Sequence, residues 1–371
     1  IGDSGIYDEV EFDEEDEFVE EFEEEEEVKG EEIPMFDEDG EPIIRTREEI
    51  DALSAETAES RSIAVPPFLA TVKTVPTKWE GKTPDKSTPN KSLELEWVYG
   101  YRCHDSRNNI VVNSNGEIVY PTASLVIALD AQKRQQRFFK GHDDDVLCLA
   151  QDPTNPDIIV TGQIATVDDG RSQKPSFCIT NTKTGQVQKV DDAGERAIRA
   201  IGVSCDGNYI ATAGCDDKYS ITVWDAKTLT KICTAGSAAN TVLQGITFHP
   251  TNPFEFASIG TGHLSIWTVD VAKGRMTGKS CLTNMPKQIY TAVAYTGTGN
   301  QLLVGGKDGG LYVLVNGQAK GVFRVHEGKV NSIVVCGDRF LTGGDDGRVC
   351  LVDKSVKPIW QAQLKTAICA I

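Results

Sequence analysis

The chain has 371 residues, with 56 Asp+Glu against 37 Lys+Arg and a formal net charge of −19. Residues 1–60 hold 27 of those acids and only three bases (Lys29, Arg45, Arg47), which leaves 34 bases and 29 acids for residues 61–371. A tail of −24 repels phosphate and a body of +5 is too weakly basic to argue for nucleic acid, so free nucleic acid is not an expected partner.

Ten cysteines are scattered through the sequence with no C-x-x-C pair, most among apolar neighbours, as in Val146-Leu-Cys148-Leu-Ala and Val349-Cys350-Leu-Val. This usage predicts reduced, buried thiols of a cytosolic protein rather than disulfides or a zinc site. No apolar run approaches the ~20 residues of a membrane span, so no membrane contact is expected, and no signal peptide is visible. The first residue is Ile, which gives the expectation of a piece of a longer product.

In chain order, the acidic tail comes first. Residues 8–27 interleave Phe12, Phe18, Val19 and Phe22 with carboxylates. Self-repulsion predicts an extended run, either a solvated spacer or a segment that orders on a basic partner. Asp37-Glu-Asp39-Gly40 opens like a calcium loop but lacks the third acid and the later Glu, so no calcium is expected. Residues 45–60 are free of Pro and Gly and predict a short helix. Residues 61–92 form a Pro-broken linker carrying Lys73, Lys78, Lys82, Lys86 and Lys91. Those five charges make either a basic arm for an acidic surface or an ordinary solvated linker.

From residue 93 the sequence repeats. An apolar-x-x-apolar strand signature recurs at Val146, Ile198, Leu243, Tyr290, Val330 and Ile368, at steps of 52, 45, 47, 40 and 38 residues. Each copy is followed by a turn and a second strand ending in small residues, such as Thr161-Gly162, Ala213-Gly214 and Gly343-Gly344. A third and a fourth strand complete the unit. Short alternating strands at this period predict an all-β fold of the WD40-type β-propeller class. Only Trp224-Asp225 gives the signature dipeptide; Trp267 stands without its Asp, while Gly141-His142 and His326-Glu-Gly give two forms of the Gly-His opening. His142, His326, Asp217, Asp345 and Asp346 therefore read as structural, in buried hydrogen-bond networks.

Residues 93–140 predict one further blade, with strands at Asn109–Val112, Glu117–Tyr120, Ser124–Asp130 and Gln136–Phe139 and an Asn115-Gly116 hairpin turn. Upstream, Trp97, Tyr99 and Tyr101 alternate as half-buried strand residues would. The stretch Trp97-Val-Tyr99-Gly100-Tyr101-Arg102, the step Arg107-Asn108-Asn109 and the Gly141-His-Asp-Asp-Asp-Val146 opening resemble the HELP motif and first blade of the echinoderm microtubule-associated protein-like (EMAP-like) family. The divisions expected are an acidic tail (1–60), a linker (61–92), a HELP blade (93–140) and propeller blades (141–371). The last begins a seventh unit at Ala367–Ile371, so the natural chain is expected to continue.

The resemblance implies tubulin as partner and a cytoplasmic, cytoskeletal location; the acidic tail adds the expectation of a permanent assembly such as the ciliary axoneme, and no cofactor is expected. Some family members begin with a coiled coil and a basic region; here no heptads occur and the N-terminus is acidic. The motifs of serine hydrolases, zincins and phosphate loops are absent from the sequence, which predicts a non-enzyme. Two functions stay open: a microtubule-associated scaffold whose acidic tail engages a second, basic partner, and a general WD40 adaptor of ubiquitin ligation or trafficking.

Overall fold

The computed structural model describes residues 94–371 except 104, 169–170, 238–242 and 354–356. Before residue 94 it describes only the backbone of two antiparallel strand pairs, Met35–Phe36 with Pro42–Ile43 and Ser62–Val65 with Phe68–Lys73. The helix expected over 45–60 and the acidic run at 8–27 lie outside the described residues.

Residues 111–363 build six four-stranded antiparallel sheets, each a simple meander, with no α-helix among the described residues. Blade I comprises Val111–Val112, Ile118–Thr122, Leu125–Asp130 and Gln135–Lys140. Blade II comprises Val146–Asp152, Asn155–Gln163, Phe177–Asn181 and Val187–Val190. Blade III runs through Ile198–Val203, Tyr209–Gly214, Ile221–Asp225 and Lys231–Ala235. Blade IV runs through Leu243–Phe248, Glu255–Gly260, His263–Asp270 and Arg275–Ser280. Blade V holds Tyr290–Tyr295, Gln301–Gly306, Gly310–Val315 and Gln318–Arg324. Blade VI holds Val330–Cys336, Arg339–Gly344, Arg348–Val352 and Pro358–Gln363. The five first strands expected at Val146, Ile198, Leu243, Tyr290 and Val330 begin at those residues. A strand pair at Thr166–Asp168 and Arg171–Gln173, inserted within blade II, accounts for the longest repeat step.

Strand alternation explains how the blades stack. On the third strand of blade V, Tyr312 and Leu314 enter the core shared with blade IV, while Leu311 and Val313 enter the core shared with blade VI. Five such cores join successive pairs of blades. Each wholly buried Ile, Leu or Phe in them contributes about 1.5–3 kcal/mol of transfer free energy.

Small residues at the end of the second strand set the approach between blades. A Cβ built on Gly162 would lie 2.6 Å from Ile198 Cγ2 and 3.0 Å from Cys148 Sγ, and one on Gly305 would lie 2.7 Å from Val330 Cβ. Gly343 repeats the arrangement, with Ile368 Cγ2 at 2.5 Å from the built atom. Ile368 is therefore seated like the first-strand residue of another unit, and its N–H bonds the Gly344 carbonyl at 2.9 Å. The strand expected at Ala367–Ile371 is nonetheless absent: the segment is irregular, having no second strand beside it among the described residues.

Two corrections follow. Residues 94–110 form no strand, because Gly100 sits at φ +109° and breaks the extended path. Tyr99, expected half-buried, is 86% exposed and touches Trp97 at 6.1 Å between ring centroids. The cysteines, all free, divide into five buried, three half-buried and two exposed, Cys103 and Cys336.

The crowding at Gly162 gives the first prediction. Gly162→Val should cost roughly 1–3 kcal/mol by overpacking and lower the thermal midpoint by several degrees. Gly194→Ala, whose Cβ would meet only Pro175 at 3.7 Å, should leave the melting curve unchanged.

Candidate functional site

The HELP segment is built as a brace. Gln136, on the outer strand of blade I, uses its side-chain amide as a surrogate strand: Oε1 accepts from Val98 N–H at 2.8 Å and Nε2 donates to the Val98 carbonyl at 3.0 Å. Tyr101 then packs edge-on against Tyr120 at 5.9 Å, and its hydroxyl donates to the wholly buried Asn109, whose Nδ2 donates to the Arg102 carbonyl at 2.7 Å. Thr122 Oγ1 donates to the Gly100 carbonyl at 3.0 Å, and at φ +109° Gly100 occupies a backbone region closed to other residues.

Arg102 is the hub. Its Nε and Nη2 donate to the two carboxylate oxygens of Asp105, each at 2.7 Å, and Nη1 donates to Asp145 at 2.6 Å. The Asp105 hydrogen bond raises the Arg102 pKa further above its ordinary value, burial opposes this, and the Asp145 bond adds to it. Asp105 in turn receives Arg199 from blade III, through its carbonyl at 3.0 Å. Ser106 donates to the Leu147 carbonyl of blade II at 2.5 Å.

The next two residues reach the far end of the chain. Arg107 Nε donates to Asn331 Oδ1 at 3.1 Å and Ser332 Oγ donates to Asn108 Oδ1 at 2.6 Å, so blade VI is tied to residues 224 positions earlier. Asn108 takes φ +50°, a left-handed position that Asn tolerates. Asn331 Nδ2 also donates to Asp345 at 2.6 Å and to the Ile368 carbonyl at 3.0 Å. Residues 105–108 thus meet blades II, III and VI at once, above a cavity of about 90 Å³ lined by first strands of blades II–V. That space is too small for a cofactor.

Inside the blades, the residues read as structural occupy one recurring network in varied forms. His142 pairs Nδ1 with Gln163 at 2.8 Å and Nε2 with Thr161 at 2.7 Å. His326 pairs with Asp346 and Thr342, both at 3.0 Å. Trp224 Nε1 donates to Thr212 at 2.9 Å, and Trp267 Nε1 donates to Ser258 at 2.8 Å. Asp225 caps a turn by accepting from Lys227 and Thr228 backbone N–H groups at 2.9 and 2.7 Å. Asp345 serves Asn331 rather than a histidine, and Asp217 is exposed, bonded to Arg196 on the surface instead of joining a buried network. The turn geometry selects Asp346, whose carboxylate also caps Glu327 and Arg348 N–H at 3.0 Å.

Two members escape a motif search. In blade IV the buried His263 bonds Ser258 at 2.7 Å from the third strand rather than from the blade opening. In blade V, Gln288 stands in for the histidine, donating to Tyr312 at 2.8 Å, while Tyr312 donates to Asp308 at 2.5 Å. Gln288 lies two residues before the first strand at Tyr290 where His326 lies four before Val330, so only its place ahead of a first strand was available as a signal. The arm Lys73, Lys78, Lys82, Lys86 and Lys91, and His104, lie outside the residues whose side chains are described.

Burial pushes His142 and His263 down to about 4, and Cys148 and Cys178 up to about 12, so near neutral pH these groups are uncharged. Among the described residues no group of three His, Cys, Asp or Glu is arranged to hold a metal, and no helix is long and apolar enough to cross a membrane. The geometry is that of a rigid, cross-braced surface.

Compared with known proteins, residues 135–371 match the family described as "Echinoderm microtubule-associated protein first beta-propeller", and residues 88–127 match the HELP motif. The chain belongs to the EMAP-like family. It is 32% identical over 275 residues to the 77 kDa echinoderm microtubule-associated protein of Lytechinus variegatus, covering 71% of this chain and 40% of that protein. Against echinoderm microtubule-associated protein-like 2 of Homo sapiens it is 32% identical over 276 residues, covering 71% and 42%. The chain spans about two fifths of the length of these curated relatives. A solved β-propeller domain, Cps50 (Swd1) of Myceliophteria thermophila, overlaps 59% of this chain and 72% of its own, with a TM-score of 0.49 and 16% identity.

Arg102 yields a stability test. Its side chain is only 16% exposed, and its planar fork spans two carboxylates that a lysine cannot bridge. Arg102→Lys should therefore destabilise nearly as much as Arg102→Ala, by about 1–3 kcal/mol in a denaturant titration.

The histidines yield a pH test. Their folded pKa values lie below the ordinary 6.5, so the unfolded chain binds their protons first. Stability is complete above pH 6.5 and falls as pH drops towards 4, by up to about 1.4 kcal/mol per histidine per pH unit. The melting temperature should decline across that window, and the decline should be shallower in His142→Gln.

Proposed function

We propose that this chain is a non-enzymatic, microtubule-associated scaffold. The observation that carries the reading is its membership, through both the HELP motif and the propeller, of a family whose compared members are named microtubule-associated. The geometry supports it: buried histidines and thiols are held neutral in packing roles, and the HELP segment locks four blades into one rigid unit. A rigid, broad face suits docking on a repeating protein lattice, and the partner is tubulin in microtubules, in the cytoplasmic cytoskeleton.

The −24 tail sets this chain apart. It carries the sign of the tubulin surface, so it serves a second and basic partner, such as a component of an axonemal assembly, rather than the lattice itself. The Lys73–Lys91 arm has the sign to face tubulin.

Co-sedimentation with stabilised microtubules checks the proposal. The chain should pellet with microtubules, and removal of residues 1–60 should preserve or increase the pelleted fraction. A chain that stays in the supernatant, while affinity capture returns ligase or coat subunits without tubulin, would replace the scaffold reading with that of a general adaptor.

A further inference from the structure

The propeller is close to neutral, with 28 bases and 27 acids in residues 94–371, but the charges are not mixed evenly. Residues 271–326 contain seven bases and a single acid, Asp308, while the other propeller residues carry 21 bases against 26 acids. Asp308 is exposed but already engaged within the blade, bonded to Tyr312 Oη and to Gly310 N–H at 2.5 and 3.0 Å. With seven bases against that one acid, this sector, which forms the outer part of blade IV and blade V, carries a net positive charge.

A groove lies within the sector. Lys279, Ser280, Thr283 and Asn284 line it from the outer strand of blade IV and the loop that leaves it, and Gln318 and Lys320 line it from blade V. Its volume is about 290 Å³, below the range of sites for drug-sized ligands but adequate for side chains of a docked peptide. No acid is among the lining residues. Neither Lys279 nor Lys320 forms an ion pair among the described residues, whereas Lys273 and Arg275 in the same sector are both drawn to Asp270.

The groove is also preformed. Its blade V lip is the two-residue turn Asn316-Gly317, at φ +53° and +75°, the tight hairpin form that matches strand twist. Asn284 on the opposite lip is fixed at φ +60°. Both strands that bound the groove are the outermost of their blades, so each presents an unpaired backbone edge outward. The two ammonium groups have no ion-pair partner among the described residues, and Lys320 also reaches Gln318 Oε1 at 3.4 Å. Joined by hydroxyl and amide donors and an open strand edge, they suit an extended chain bearing carboxylates.

We propose that the groove between blades IV and V is a docking site for an acidic polypeptide segment, whose carboxylates pair with Lys279 and Lys320. The choice of the microtubule surface as the source of that segment rests on the function proposed above; the chemistry of the groove does not.

The test uses the 371-residue chain and a fluorescein-labelled oligo-glutamate peptide, followed by anisotropy. Binding should weaken with added salt, and Lys279→Glu/Lys320→Glu should raise Kd by about tenfold. The matched pair Lys183→Glu/Lys365→Glu makes the same change in net charge at exposed positions outside the sector and should shift Kd by about twofold or less. Equal losses in the two variants would show that net charge alone attracts the peptide and would overturn the site. So would displacement of the peptide by oligouridylate at lower concentration than by unlabelled oligo-glutamate, which would mark a nucleic-acid surface. Both variants are pelleted with microtubules in parallel. A selective loss for Lys279→Glu/Lys320→Glu supports the groove as the lattice contact, and undiminished pelleting of it overturns that role. Lysine-dependent peptide binding by a chain that never pellets keeps the acidic-peptide site and removes the microtubule reading.

Discussion

One close approach, found at the same place in blades II, V and VI, governs much of the architecture. The first strand of a blade presses its leading apolar residue against the end of the preceding blade's second strand, where Gly162, Gly305 and Gly343 leave no side chain in the way of Ile198, Val330 and Ile368. The pleat of each strand then sends alternate side chains to the two neighbouring cores, one set for each. The spacing between blades is thus set at the inner strands. Material added at the ends or outer edges, such as the strand pair inserted in blade II, does not disturb it.

With spacing fixed by packing, the polar networks inside the blades are free to vary, and they do. The same volume is filled by His142 with Gln163 and Thr161, by Gln288 with Tyr312 and Asp308, and by His326 with Asp346 and Thr342. What these three networks share is that their buried side chains find partners, since an orphaned donor or acceptor costs about 1–3 kcal/mol. The HELP segment obeys the same rule over a longer range. Its polar groups would be expensive to bury singly, yet Arg102, Asp105 and Arg199 compensate one another, as do Arg107, Asn331 and Asp345.

This distinction explains what the sequence revealed and what it hid. Positions of the first strands and the Asn115-Gly116 turn were legible because apolar spacing and turn chemistry are local, and five copies reinforced one another. The path of Trp97, Tyr99 and Tyr101 was misread because alternation signals a strand only where a partner strand exists. Here the partner is a single side chain, Gln136, and Gly100 turns the chain away. His263 and Gln288 were missed because a network that tolerates exchange of residue type leaves no fixed letter to find. Asp345 and Asp346 are adjacent acids in one turn, and only the geometry separates the histidine's partner from the partner of Asn331. The bonds from Arg107 and Asn108 to blade VI span 224 residues, beyond the reach of any local pattern.

Charge behaves differently from packing, because it is specified by sums over a surface and not by contacts. The net charge of −19 concealed a −24 tail, and the near-neutral propeller in turn conceals a positive sector at residues 271–326. Nothing in the stability of blades IV and V demands that sector: Lys279 and Lys320 are exposed, unpaired with acids among the described residues, and not members of the shared cores. Seven mutually repelling bases with one acid among them cost stability rather than adding to it. A fold that locks itself through glycine contacts and a buried brace can bear that cost. The lysines at the groove are therefore best understood through what they present to solvent, since neither forms an ion pair among the described residues and the one side-chain bond, from Lys320 to Gln318 at 3.4 Å, is exposed.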